Sequence, residues 1–181
     1  MFLRGVAQLV ARTAGGREVA GSSPVTPTII KTTTDKVYMQ QSDKVVVIYS
    51  DGGSRGNPGP SASGFVIYDQ AGKLLFEGGE YLGVTTNNQA EYRAVLLGLE
   101  KALEMGASFV DFKMDSLLVV NQMAGIYRVK NRDLWPIYES IRNIVKKFDD
   151  VRFTHVRREF NKEADAMVNK ILDEHSRIKV G

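Results

Sequence analysis

Strand-like and helix-like segments follow one another from residue 44 to residue 176 in an order that few folds can accommodate. Three runs rich in β-branched and aromatic residues come first, at 44–50, 63–69 and 73–82. Two more strand-like runs and four segments with helical periodicity follow, the strands at 108–115 and 151–156 and the helices at 87–106, 116–125, 133–148 and 161–176. The order β-β-β-α-β-α-α-β-α predicts an α/β fold with one five-stranded mixed sheet flanked by helices. Three strands would be antiparallel, and two would be parallel strands reached through helical crossovers.

The residue types narrow the kind of site that this fold can carry. The chain has no cysteine, which excludes disulfides, thiolate zinc sites and cysteine nucleophiles. Its two histidines are too few and too far apart to favour a histidine zinc site. A metal site would therefore use oxygen ligands, which favour hard ions such as Mg²⁺ or Mn²⁺. No apolar run reaches the length of a membrane span, and we expect a cytoplasmic monomer without membrane contact.

Charge is distributed unevenly along the chain. The net charge of +3 comes from residues 1–41, which hold five basic and two acidic residues, because residues 42–181 hold 19 of each. Residues 43–127 hold six basic and ten acidic residues, whereas residues 128–162 hold ten basic and five acidic ones. This pattern is typical of a protein that clusters carboxylates at one place and meets a polyanion at another, although ordinary solvated charge also explains it.

Residues 1–41 differ in character from the rest of the chain. Gly, Ser, Thr and Pro follow one another there without a lasting period, so we expect this segment to be disordered. Its arginines fit an organellar transit peptide. However, "VAQLVA" and "GSSP" back-translate into sequences that resemble the D-arm and T-arm of a transfer-RNA gene. We therefore hypothesise a non-native extension with the true start near Met39, followed by one domain over residues 43–176.

Four acidic residues lie where strands end or helices begin. They are Asp51 and Asp115 at strand ends and Glu91 and Asp165 in the first turns of helices. Each has an ordinary explanation: an Asx-turn, a capping box with Asn88, a strand-to-helix cap, or an interaction with the helix dipole. Together they predict a site beyond the strand ends, where converging carboxylates repel one another unless cations are bound. Two divalent ions held there would support phosphodiester cleavage.

A glycine-rich stretch, "DGGSRGNPGP", follows the first strand. No Gly-Lys-Ser/Thr comes after it, which excludes a Walker-type nucleotide loop. We expect the glycines, Gly52 first among them, to let a nucleic-acid backbone come close. We also expect nearby amides to bond sugars or base edges, namely those of Asn57, Asn87, Asn88 and Gln89.

Residues 43–175 resemble type 1 ribonuclease H. The segments that carry the resemblance are "DGGSRGNPGP", "TTNNQAEYRA", "MDSLLVV" and "NKEADAMVN", in the order and spacing of that family. The resemblance implies a ribonuclease H-like fold and endonucleolytic cleavage of RNA paired with DNA, leaving 3′-hydroxyl and 5′-phosphate ends. It also implies that Asp51, Glu91, Asp115 and Asp165 hold two Mg²⁺ or Mn²⁺ ions. Contacts to the RNA strand would come from Asn57, Asn87 and Asn88.

The chain departs from many members of that family in three places. It lacks a basic protrusion after the second helix, so we expect Arg128, Lys130 and Arg132 to contribute contacts to the DNA phosphates. The stretch "RREFN" before the last helix has no histidine, and Arg158 is the expected substitute, while His155 is expected within a strand. Leu117 stands where some members have a substrate-contacting glutamine.

Three other functions remain open at this point. One is a nuclease of broader specificity that also cuts double-stranded RNA. Another is a non-catalytic nucleic-acid-binding module on the same fold, and the last is a fragment of a larger polymerase-associated protein.

Overall fold

Five strands and four α-helices make up residues 44–178, the part of the chain that the computed structural model describes. The strands are β1 Val45–Ser54, β2 Gly59–Asp69, β3 Leu74–Thr85, β4 Phe109–Met114 and β5 Asp150–His155. The α-helices are α1 Asn87–Glu104, α2 Leu117–Met123, α3 Trp135–Val145 and α4 Lys162–Ile178. Short 3-10 turns at Arg132–Leu134 and Arg158–Phe160 precede α3 and α4. The element order is the one that the sequence predicts.

The five strands form one mixed sheet in the order β3-β2-β1-β4-β5. β1 pairs antiparallel with β2, and β2 antiparallel with β3, while β4 runs parallel to both β1 and β5. The predicted α/β fold, with three antiparallel and two parallel strands, is confirmed. The parallel strands are reached through α1 and through α2 and α3, as helical crossovers require.

The first hairpin is longer than the sequence predicts. Asp51 was expected to end β1, but the strand continues to Ser54, and β2 already begins at Gly59. The pairing continues from Asp51 opposite Gly64 to Ser54 opposite Ser61. Glycines usually indicate a loop, but Gly52 and Gly53 are strand residues against which α1 and α4 pack. Only residues 55–58 form the turn.

The beginning of α1 also differs from the prediction. Thr86 caps the helix and forms a capping box with Gln89, so the expected box between Asn88 and Glu91 is wrong. Thr86 has extended backbone angles and its hydroxyl accepts a hydrogen bond from the Gln89 N–H, which is the usual geometry of such a cap. Glu91 is therefore free of a capping role.

The main hydrophobic core lies between the sheet and the helices α1, α2 and α3. Its largest fully buried side chains include Ile48, Ile67, Tyr92, Leu99 and Phe112. A smaller cluster, formed by Ala62, Val168 and Leu172, joins α4 to the sheet. The alternation along β1 and β4 and the helical period of α1 therefore direct their apolar side chains into one core.

Some expectations lie outside the described residues. These are the disorder of residues 1–41, the proposed start near Met39 and the first residue of the predicted domain. Among residues 44–178, no helix is long and apolar enough to cross a membrane.

Candidate active site

The four acids that the sequence singles out line one cavity of about 310 Å³. Asp51 comes from β1, Glu91 from α1 and Asp165 from α4, while Asp115 is the first residue after β4. The cavity lies where strands of the sheet meet the first turns of α1 and α4. This is the position expected for a site in an open α/β sheet.

Two glycines let helices pack directly on the strands beside this cavity. A Cβ atom on Gly52 would lie 2.1 Å from the backbone nitrogen of Glu91, and one on Gly64 would lie 2.9 Å from the carbonyl oxygen of Ala164. Gly52 therefore joins β1 to α1, and Gly64, opposite Asp51, joins β2 to α4. The expected role of Gly52 was to admit a nucleic-acid backbone; the atoms next to it belong to α1.

Asp51 is in an unfavourable electrostatic environment. Burial, and after it the charges of Asp115, Asp165 and Glu91, together raise the pKa of its carboxyl from 3.8 to about 7, although a hydrogen bond from the Gly52 backbone lowers it. Desolvation and like charges both disfavour the ionised form. In the absence of a cation, Asp51 is thus about half protonated near neutral pH.

Glu91 is held by two hydrogen-bond donors. The Ser116 hydroxyl donates to Oε2 at 2.8 Å, and the Asn87 amide donates to Oε1 at 3.1 Å. Burial, with a smaller contribution from the charge of Asp115, raises the pKa of Glu91 from 4.5 to about 7, although the hydrogen bonds from Ser116 and Asn87 lower it. These two donors fix the direction of the carboxylate and favour its ionised form.

Asp115 and Asp165 each bind a protein donor as well. The Asn161 amide donates to Asp115 Oδ1 at 3.0 Å. Arg158 forms an ion pair with Asp165 Oδ1 at 2.9 Å, and the Asn169 amide donates to Asp165 Oδ2 at 3.0 Å. Arg158, the expected substitute for the family's histidine, therefore lies at the acid cavity, where it also lines the wall.

The donor set of this cavity fits hard divalent cations in its chemistry. All four acids offer oxygen ligands, and two of them have pKa values raised by burial and mutual repulsion, which a bound cation would relieve. Across residues 44–178, however, no three His, Cys, Asp or Glu side chains are already arranged around one point as a ligand set. Three of the carboxylates, those of Glu91, Asp115 and Asp165, bond to neighbouring protein donors.

The four predicted amides occupy different positions. Asn87 lines the acid cavity, and its backbone N–H donates to Asn57 Oδ1 at 3.2 Å, which ties the β1–β2 turn to α1. Asn88 is exposed on the first turn of α1. Gln89 takes part in the capping box. Asn57 and Asn88 therefore present polar groups to solvent close to the cavity, whereas the Gln89 side chain is used by the fold.

Arg128 lies away from the acids, in a second cavity of about 690 Å³ on the side of α3. Trp135 and Tyr127 line the same cavity, with roughly half of each side chain exposed, and so do Arg142 and Lys146. The other positions marked by the sequence are exposed and line neither cavity: Leu117, Lys130, Arg132 and His155, the last of which ends β5 as expected.

Three polar residues that contact the acids escaped the sequence analysis as site residues. Ser116 looked like part of a helix cap, but its hydroxyl makes no cap hydrogen bond and reaches Glu91 instead. Asn161 and Asn169 belong to the stretch "NKEADAMVN", in which only the aspartate was singled out. For Asn169 a signal was available, since it follows Asp165 by four residues and residues at that spacing share a helix face.

Comparison with known proteins gives consistent matches. The family model described as "Reverse transcriptase-like" matches residues 49–171. The chain is 41% identical over 143 residues to ribonuclease HI of Halobacterium salinarum. This match covers 78% of this chain and 72% of the relative. The crystal structure of that organism's ribonuclease H1 matches with a TM-score of 0.70 and 42% identity, over 72% of this chain and 98% of that one.

Two further matches bear on the site and on chain length. LC11-RNase H1, solved in complex with an RNA/DNA hybrid, matches with a TM-score of 0.68 and 41% identity, over 72% of this chain and 98% of that one. A bifunctional protein of Mycobacterium tuberculosis is 40% identical over 71% of this chain, but the match spans only 35% of that protein.

Proposed function

Because the chain belongs to the ribonuclease HI family and is thus a ribonuclease H enzyme, we propose that it cleaves the RNA strand of RNA·DNA hybrids endonucleolytically. The observation that carries the proposal is the convergence of Asp51, Glu91, Asp115 and Asp165, from four separate elements, on one cavity. The hybrid bound to LC11-RNase H1, a protein 41% identical to this chain, supports the choice of substrate.

The four acids are the proposed ligands of two Mg²⁺ or Mn²⁺ ions. When bound, such ions would supply an activated water and charge stabilisation for the leaving oxygen, and the proposed products have 3′-hydroxyl and 5′-phosphate ends. The protein's own contribution is to hold the ligands in place. Ser116 and Asn87 orient Glu91. Asp51 and Asp115 would contribute further oxygen ligands, and Asp165 would act on the side of the attacking water.

Arg158 has a different role in this proposal. Its guanidinium carries a permanent charge, so it cannot take a proton from water as a histidine can. It lies in ion-pair contact with Asp165 and is otherwise exposed. We assign to Arg158 the role of neutralising the charge of the Asp165 carboxylate until cations and the phosphate of the substrate enter the cavity.

The substrate contacts extend from the acid cavity along the surface. Asn57, Asn87 and Asn88 would face the RNA strand, where bonds to the 2′-hydroxyl distinguish RNA from DNA. The DNA strand would lie towards Arg128 and Lys130, whose positive charges suit phosphates. A cytoplasmic location and a monomeric state stay predictions.

The test uses the full chain, a labelled RNA·DNA hybrid, and duplexes of RNA alone and DNA alone, each with Mg²⁺, Mn²⁺ or a chelator. We expect metal-dependent cutting of the RNA strand in the hybrid, with the stated ends, and no cutting after Asp51→Asn. Asp149→Asn, a change on an exposed surface, is the control and should cleave like the native chain.

Three results would change the proposal. Equal cleavage of duplex RNA would favour the broader specificity. Binding of hybrids without cleavage would favour the non-catalytic module. Undiminished cleavage by Asp51→Asn would remove the carboxylate mechanism.

A further inference from the structure

Asn161 lies at the point where three of the four acid-bearing segments meet. Its side chain is 1% exposed. Its amide nitrogen donates to Asp115 Oδ1 and to the carbonyl oxygen of Ser50, both at 3.0 Å. Its backbone carbonyl oxygen accepts the backbone N–H of Asp165 at 3.1 Å. One residue thus bonds to Asp115, to the neighbour of Asp51 and to the start of α4.

The strand pairing explains why a side chain is needed at this point. The parallel pairing of β1 with β4 ends at Tyr49 opposite Lys113. Ser50 and Asp51 on one strand, and Asp115 after the other, lie beyond that last pair. Sheet hydrogen bonds therefore do not fix Asp115 relative to β1, and the amide of Asn161 supplies the link between them.

The orientation of this amide is determined by its partners. Both groups next to the nitrogen are oxygens that accept hydrogen bonds, so the reversed amide would place oxygen against oxygen. Among the described residues, Asn161 Oδ1 is buried without a hydrogen-bond partner. An unpaired buried carbonyl oxygen reduces stability. A residue that only filled space at this position would avoid that loss.

We propose that Asn161 is a positioning residue, which holds the carboxylate of Asp115 against β1 and thereby sets its placement relative to Asp51. The inference rests on the proposed function, because it concerns how the acids are held ready for divalent ions. Asn161 itself need not touch either ion or substrate. Its effect passes through Asp115.

The test compares Asn161→Ala with Gln122→Ala in the full chain. Gln122 is a matched control, because it is also a buried amide, and its Oε1 accepts a hydrogen bond from Tyr92 at 2.6 Å rather than bonding to any of the four acids. Three quantities are measured: the midpoint of thermal unfolding, the Mn²⁺ dissociation constant by calorimetry without substrate, and kcat and KM for the hybrid.

We expect both variants to unfold at a lower temperature than the native chain. Asn161→Ala should also weaken Mn²⁺ binding and lower kcat, each by about tenfold or more, with KM for the hybrid little changed. Gln122→Ala should change the Mn²⁺ dissociation constant and kcat by less than about threefold. Asn161→Ser, which keeps a polar group too short to reach both acceptors, should behave like Asn161→Ala and replaces it if that variant does not fold.

If a folded Asn161 variant bound Mn²⁺ with the native affinity and had the native kcat, the proposal would be overturned, and Asn161 would have a structural role only. An equal loss of Mn²⁺ affinity in Gln122→Ala would overturn it too, because the effect would then follow from lower stability. The calorimetry is independent of cleavage. If the native chain bound Mn²⁺ but left hybrids intact, the proposed function would fail, while the difference between variants would still decide the role of Asn161.

Discussion

Replacing Asp51 with asparagine should make the metal-free protein more stable while removing its activity. Burial of the native carboxyl, together with the charges of the three other acids, raises its pKa to about 7. Asparagine has nearly the same shape but cannot ionise. The substitution therefore removes a charge that folding disfavours and leaves the packing of β1 intact.

The sign and size of the effect follow from the two pKa values. In the unfolded chain the carboxyl loses its proton near its ordinary pKa of 3.8, whereas in the folded chain it keeps the proton to about pH 7. Stability of the metal-free native protein should thus fall as the pH rises from about 4 to about 7, and then level off. A shift of roughly three pKa units corresponds to an upper limit of about 4 kcal/mol. Relaxation of the site and entry of water reduce this, and we expect about 1–3 kcal/mol at pH 8.

Thermal unfolding in the presence of a chelator measures this difference. A gain of that size raises Tm by about 2–4 °C for each kcal/mol in a chain of this length. Asp51→Asn should melt above the native protein at pH 8, and the gap should narrow towards pH 4. Excess Mg²⁺ should favour the native protein instead, because bound ligand stabilises the state that binds it. A metal-free Asp51→Asn variant that melts at or below the native Tm at pH 8 would refute the reasoning, with Asp149→Asn as the control for charge alone.

Three other substitutions test the surroundings of the acids. Gly52→Ala places a Cβ atom 2.1 Å from the backbone nitrogen of Glu91. The free energy of unfolding, measured with denaturant, should therefore fall by about 3 kcal/mol or more. A fall of less than about 0.5 kcal/mol would contradict the close packing of β1 on α1. Ser116→Ala removes a hydrogen bond that lowers the pKa of Glu91, so the acid limb of the kcat–pH profile should move to higher pH and kcat should fall by about tenfold. An unchanged profile would show that Ser116 does not act on Glu91. Arg158→Ala removes an exposed ion pair, so stability should change by less than about 0.5 kcal/mol, while kcat should fall and be partly restored in Arg158→Lys. A large loss of stability with native kcat would assign Arg158 to the fold.

The order of elements and the sheet topology could be predicted because strand and helix periods are strong along most of the chain. The apolar runs of β1 and β4 predict strands, and the apolar stripe of α3 predicts a helix. The stretch after Asp51 was predicted less well. Its glycines are typical of a loop, yet they continue the strand because α1 and α4 occupy the space that side chains would fill. That reason depends on residues far away in sequence.

The acids of the site could be predicted, but several of their partners could not. Asp51 and Asp115 lie near the ends of strand-like runs, and Glu91 and Asp165 near the starts of helix-like ones, so their meeting follows from topology. Ser116 and Asn161 reach their acids through side-chain directions that no periodicity encodes. The capping of α1 by Thr86 rather than by an asparagine was missed for a related reason, since Thr and Asn cap helices almost equally well.

The contact of Gly52 with α1 and of Gly64 with α4 has a consequence for how this protein can change over time. At both places main chain meets main chain, with no intervening layer of side chains whose size could vary. Replacing one apolar residue by another in the large core under α1 should change the free energy of unfolding. The distances between the acids should nevertheless stay nearly constant. The end of the sheet that carries the acids is therefore less sensitive to substitutions elsewhere in the interior, and Gly52 and Gly64 are the two positions at which a substitution would alter it most directly.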